Sequence, residues 1–138
     1  MPTNKGKKKN GGIMRTTFLN DNRKGNLKAT AKDYLKGRIE DFEIFMENIK
    51  GNEDIGPFSE YGLCFDYVEP GTFKGQRKGY HRYQMSYGGP SDEIRFYSNG
   101  KIEYVYLDWF CGVGFDVTKE DWAIWLKDRF IANLRPIG

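Results

Sequence analysis

The chain is poor in the residues that build metal centres and disulfide frameworks. It has two cysteines, Cys64 and Cys111, and one histidine, His81. A structural zinc site takes about four N, S or O ligands at short paired spacings, and these three residues offer no such spacing, so no metal is expected. The cysteines are far apart and lack a CxxC pattern. They read as two reduced, buried thiols of a cytosolic protein. Long hydrophobic runs are also missing. No window approaches the roughly 18 apolar residues of a membrane span, and no apolar h-region follows the N-terminus. The resulting expectation is a cytoplasmic protein with no membrane partner. No sequence motif calls for a cofactor, and none is expected.

Aromatic residues are abundant, at 16% of 138 residues. Tyr and Phe dominate them, which favours strands. A chain of this length is one ordinary domain that buries roughly two-thirds of its unfolded surface. Charge is distributed unevenly: residues 1–38 carry a balance of +9, and the remainder carries −6. The chain reads as a flexible basic tail over residues 1–12, followed by a single domain over 13–138. Such an asymmetry points to a polyanionic partner for the tail.

IMRTTFL at 13–19 reads as a short edge strand. In the segment that follows, Leu35, Ile39, Phe42, Met46 and Ile49 recur at helical spacing. Thr30 with Asp33 is a candidate capping box, and Gly51 is placed to stop the helix. The opposite face carries Arg38, Glu40, Asp41, Glu43 and Glu47 and reads as solvated. Strand patterns follow at 61–68, 80–87, 93–98 and 101–110. Asn99-Gly100 between the last two is a strong hairpin signal. TKED at 118–121 then resembles a capping box for a second helix through Trp122, Ala123, Trp125, Leu126, Phe130 and Ile131, ending near Pro136. Short connections make successive strands antiparallel neighbours. The expected fold is α+β: a four- to five-stranded antiparallel meander sheet with two helices packed on one face, in the order α-β-β-β-β-α.

YGGPSDEIRFY at 87–97 is the most distinctive string. As a turn, Gly supplies positive φ, Pro fixes φ, and Ser and Asp bond nearby amides. As a binding loop, it would let a partner's backbone approach the two glycines while Ser91, Asp92 and Glu93 project acceptors. It lacks the Lys and following helix of a phosphate loop. Here EYGLCFDYV (60–68), EPGTFKGQRKGYHRYQMSYGGPSDEIRFY (69–97) and KIEYVYLDWFCG (101–112) together resemble a group of small proteins encoded on plasmids, integrative elements and phages. The departures are Tyr87, where the group more often has Trp, and Cys111, where it tends to have Asp. The resemblance implies a mobile-element origin and assigns no catalytic residue.

Three functional classes follow. The first is a non-enzymatic accessory protein that binds a macromolecule, as an inhibitor of a host defence complex of the anti-CRISPR or anti-restriction type. Tyr87, Ser91, Asp92, Glu93, Asp108 and Trp109 are its candidate partner-binding residues, since aromatics commonly anchor interfaces. The second is direct DNA or RNA binding. Lys5, Lys7, Lys8 and Lys9 form a phosphate-contacting cluster. Lys74, Arg77, Lys78 and Arg82 form a second basic patch, interleaved with tyrosines that can stack on bases. The third is a hydrolase using the GGPSDE carboxylates, with Glu103, Asp108 and Asp116 as further acids and His81 as a candidate base. No nucleophile–base pair is visible, so a binding role is preferred over catalysis.

Overall fold

The computed structural model describes residues 16–19, 24–108 and 111–131 of the chain. Its elements are β1 (Thr16–Leu19), α1 (Lys24–Glu47), a 3₁₀ turn (Phe58–Glu60), β2 (Cys64–Val68), β3 (Tyr80–Ser86), β4 (Ser91–Phe96), β5 (Ile102–Asp108), β6 (Cys111–Asp116) and α2 (Asp121–Phe130). The strands form one antiparallel sheet in the order β1-β6-β5-β4-β3-β2. The meander β2 to β5 and the α+β class match the expectation. The sheet is longer than expected, with six strands, because CGVGFD at 111–116 pairs with both β5 and β1.

The period-2 alternation divides the sheet residues between two faces. Tyr83, Met85, Ile94, Phe96, Tyr104, Tyr106, Val113 and Phe115 point to the helices and form the core with them. Arg82, Gln84, Glu93, Arg95 and Glu103 alternate with these residues and belong to the outer face. The helical contribution differs from the expected stripe. Leu27, Ala31, Leu35, Phe42 and Phe45 are buried, whereas Met46 and Ile49 are 40% and 49% exposed. The buried face therefore runs from residue 27 through 45, and Arg38 falls within it at helical spacing from Leu35 and Phe42. The helix begins at Lys24, so Thr30 is an interior residue and not a cap.

The second helix also starts differently. Glu120 is its N-cap, without a side-chain cap bond. Thr118 instead ties the end of β6 to β5: its hydroxyl accepts from the Ile102 amide at 2.9 Å, and its amide donates to Asp116 Oδ1 at 3.0 Å. Trp122 of α2 stacks on Phe42 of α1, with centroids 5.4 Å apart. This contact fixes the two helices as one layer. The region near Pro136 lies outside the described residues.

Candidate functional site: a cationic groove on the outer sheet face

The outer face is crossed by a charged row. Cross-strand register sets Asp66 opposite Arg82, Arg82 opposite Arg95, Arg95 opposite Glu103 and Glu103 opposite Asp116. The two central arginines are like charges in direct opposition, which is unfavourable unless each is neutralised. Arg82 is held in a fork by Asp66, with Nε to Oδ1 at 3.0 Å and Nη2 to Oδ2 at 2.7 Å. Arg95 donates from Nε to Glu93 Oε2 at 2.7 Å. Its guanidinium carbon also lies 4.5 Å from the centre of the Tyr80 ring. Burial opposes the Arg95 charge, but Glu93, together with Tyr80 and Tyr97, more than compensates and holds its pKa above the ordinary guanidinium value.

Loop 69–79 folds over this row and closes a groove of about 710 Å³. The volume falls in the range of roughly 300–1,000 Å³ typical of ligand pockets. The loop is ordered by Gln76. Its Nε2 donates to the carbonyls of Glu69 (3.0 Å) and Lys78 (2.8 Å), and its Oε1 accepts from the Phe73 amide (3.0 Å). Gly71 and Gly75 take positive φ angles of 82° and 77° to turn the chain. The three cations of the loop, Lys74, Arg77 and Lys78, are exposed and line the groove. Phe73, 50% exposed, and Tyr87, 81% exposed, add two solvent-facing aromatic rings to the lining. The floor holds Tyr80, Glu93, Arg95 and Tyr97.

The groove brings together Lys74, Arg77, Lys78 and Arg82 from one expected set and Tyr87, Ser91 and Glu93 from another. Other residues named from sequence lie elsewhere. Ser91, Asp92 and Glu93 begin a strand and do not form a projecting loop. Asp92 is 1% exposed and turns to the helix side, where Arg38 binds it; this corrects its expected role as a projecting acceptor. Glu93 faces the groove but is 2% exposed and paired with Arg95. Asp92 and Glu93 point to opposite faces, so the two carboxylates do not converge as a catalytic pair. Glu103 and Asp116 are neighbours in the outer row. Asp108 is half-buried at the end of β5, outside the groove lining. Lys5, Lys7, Lys8, Lys9 and Trp109 lie outside the described residues.

His81 is buried, stacked on Phe65 at 5.7 Å and edge-on to Tyr67 at 4.8 Å. It packs within an aromatic cluster beneath the helices. Cys64 is exposed, which corrects the expectation of two buried thiols, and Cys111 is half-buried. Partial desolvation, followed by Asp66, pushes the Cys64 thiol up, away from the reactive thiolate. Among the described residues no cluster of His, Cys, Asp or Glu has metal-site geometry, and no helix is long and apolar enough to cross a membrane. Sequence reasoning missed Arg95 as a groove residue. The signal was present, because Glu93 and Arg95 are two apart in a strand and must share a face. Comparison of the chain with family models, curated proteins and solved structures finds no match.

Proposed function

We propose that the protein binds single-stranded nucleic acid in the outer-face groove. The observation that carries this reading is the joining of the Lys74, Arg77 and Lys78 cations with the exposed Phe73 and Tyr87 rings in one concave lining. Single-strand binders combine a cationic path for the backbone with aromatic platforms for the bases. The buried Glu93 carboxylate disfavours phosphates on the floor, so the backbone belongs at the loop and the bases point inward. A duplex keeps its bases stacked and paired and cannot offer them to such a groove. On this reading the chain is a non-enzymatic accessory protein, consistent with the mobile-element resemblance, and the basic N-terminal arm adds further phosphate contacts.

Fluorescence anisotropy with labelled single strands and matched duplexes, at about 50 and 200 mM salt, tests the reading. Single strands should bind in preference to duplexes, and affinity should fall steeply with salt. A chain lacking residues 1–12 should retain salt-sensitive binding through the groove. Complete loss of binding on truncation would assign the activity to the arm alone.

A second reading is inhibition of a host defence complex. Exposed Glu40, Glu43 and Glu47 on α1 present a run of negative charge, as a nucleic-acid mimic does. Co-purification with a CRISPR effector or a restriction enzyme, lost on charge reversal of these three residues, is the outcome that would favour it.

A further inference from the structure

We infer that the floor of the groove reads one unstacked guanine, an inference that rests on the single-strand reading above. Three polar groups meet there. The Glu93 carboxylate is buried, and among the described residues its one hydrogen bond comes from Arg95 Nε. A carboxylate accepts up to about four hydrogen bonds, so acceptor capacity remains. Arg95 commits Nε to this bond and keeps other donors in its fork of roughly five N–H groups. The third group is the hydroxyl of Tyr80, a residue of the groove lining; the oxygen is buried and has no hydrogen-bond partner among the described residues. A buried polar atom without a partner is costly. A ligand bearing a complementary atom removes that cost on binding.

The ligand chemistry follows from this set. A phosphate is repelled by Glu93, and an apolar group leaves the Tyr80 hydroxyl without a partner. A nucleobase carries donors and acceptors on one planar edge. Guanine sets two adjacent donors, N1–H and the N2 amine, beside the O6 acceptor, with N7 on the neighbouring edge. The donor pair matches a carboxylate in bidentate fashion. The acceptors match a guanidinium, the commonest partner of guanine, and the free hydroxyl can complete the contact. Uracil has one N–H on this edge. Adenine and cytosine each present a single amine, so none of the three offers a carboxylate two adjacent donors. Phosphates flanking the bound base then fall at the loop lysines.

The test uses fluorescence anisotropy on the full chain with labelled oligouridylates of about seven residues, whose central base is U, G, A or C. The guanine strand should bind about tenfold more tightly than the others, the scale of one bidentate base contact. Glu93→Gln should bring the four strands to within about twofold of one another. Because Glu93 is buried, Tyr80→Phe provides a second variant. It removes a hydroxyl that bonds no described residue, so its melting temperature should hold or rise while the preference for guanine shrinks. Equal binding of all four strands by the unsubstituted protein overturns the guanine inference and leaves the groove reading standing. Absence of binding to any strand overturns both.

Discussion

Arg38 of α1 grips Asp92 of β4 in a two-point ion pair, with Nε to Oδ2 at 2.8 Å and Nη2 to Oδ1 at 3.0 Å. The Asp92 side chain is fully buried and also accepts from the Tyr104 hydroxyl at 2.9 Å. Arg38 in turn donates to the Tyr61 hydroxyl at 2.9 Å, and that hydroxyl donates to Asp41 at 2.6 Å. The network ties helix to sheet directly behind the groove strand. Removing one partner leaves an uncompensated buried charge, so Arg38→Met should cost about 3–5 kcal/mol in urea unfolding. The double variant Arg38→Met, Asp92→Leu should recover part of that loss. A single variant that unfolds at the same urea concentration as the unsubstituted protein would show that the pair is not what joins the layers.

The same residue shows where sequence reading stopped. Helical periodicity located α1, but a stripe built from apolar residues alone assigned Arg38 to solvent. The true stripe contains a charge, and only the position of Asp92 across the interface explains it. The bulge between Gln84 and Ser86 is similarly tertiary in meaning. It shifts Ser86 opposite Asp92, and the Ser86 hydroxyl joins the same carboxylate. The groove was partly legible: the basic loop, the tyrosines and the alternation of β3 and β4 were all visible. Which side of the sheet stays open was not, because both faces are rich in aromatics and charge. The helices decide that by covering Tyr83, Ile94 and Tyr104.

Strand β6 was missed for a physical reason that supplies its own test. Glycines are depleted in strands, so CGVGFD reads as loop. Yet a Cβ at Gly114 would stand 2.5 Å from Glu103 Oε2. The glycine makes room for a carboxylate that accepts from the Tyr97 hydroxyl at 3.0 Å and faces Lys101 at 3.8 Å. Gly114→Ala should therefore destabilise by about 1–3 kcal/mol through overpacking. Gly71→Ala is not a suitable control, because that glycine has positive φ. Gly37→Ala in α1 is suitable, since nothing lies near its Cβ position, and it should gain up to about 1 kcal/mol of helix propensity. Equal thermal midpoints for both variants would contradict this account of β6.

Stability should fall at alkaline pH. Burial lifts Tyr61, Tyr83, Tyr97 and Tyr104 above the usual phenol range, and the neighbouring carboxylates Asp41, Glu103 and Asp92 add to the effect at Tyr61, Tyr97 and Tyr104. Burial also leaves Tyr106 pushed up to about 12. The unfolded chain releases these protons near pH 10, while the folded chain keeps them. The folded state thus binds more protons above that pH, so its stability is intact below about pH 10 and declines as pH rises toward the folded values. One fully buried tyrosine such as Tyr104 contributes a slope of about 1.4 kcal/mol per pH unit in that window. Urea midpoints should hold to about pH 9.5 and then drop, with tyrosinate absorbance rising together with loss of structure. A flat stability curve through pH 11 would overturn the assignment.

The loop cations should govern the salt dependence of strand binding. Lys74, Arg77 and Lys78 are exposed, so replacing all three with Ala should leave the thermal midpoint nearly unchanged. Each phosphate contact on a single strand contributes about 0.7 to the slope of log affinity against log salt. The triple variant should therefore lower the magnitude of that slope by about two and weaken binding most at low salt. An unaltered slope would place the phosphates elsewhere.

The exposed rings should behave in the opposite way. Phe73 sits on the loop and Tyr87 on the β3–β4 connection, two separate segments that each present an aromatic ring at the same groove. Neither ring is needed by the core, so Phe73→Ala and Tyr87→Ala should each change stability by no more than about 0.5 kcal/mol. If each ring stacks one base, each substitution should weaken binding by about 1–3 kcal/mol. Stacking releases no counterions, so the salt slope should stay as it was. Tyr87→Trp is the informative companion: a larger ring preserves the stack and should hold or raise affinity, whereas a purely structural role at this exposed position would leave affinity unchanged in every variant. Loss of affinity in the alanine variants together with a reduced salt slope would mean that the substitutions move the loop, and would remove the rings from direct contact with the bases.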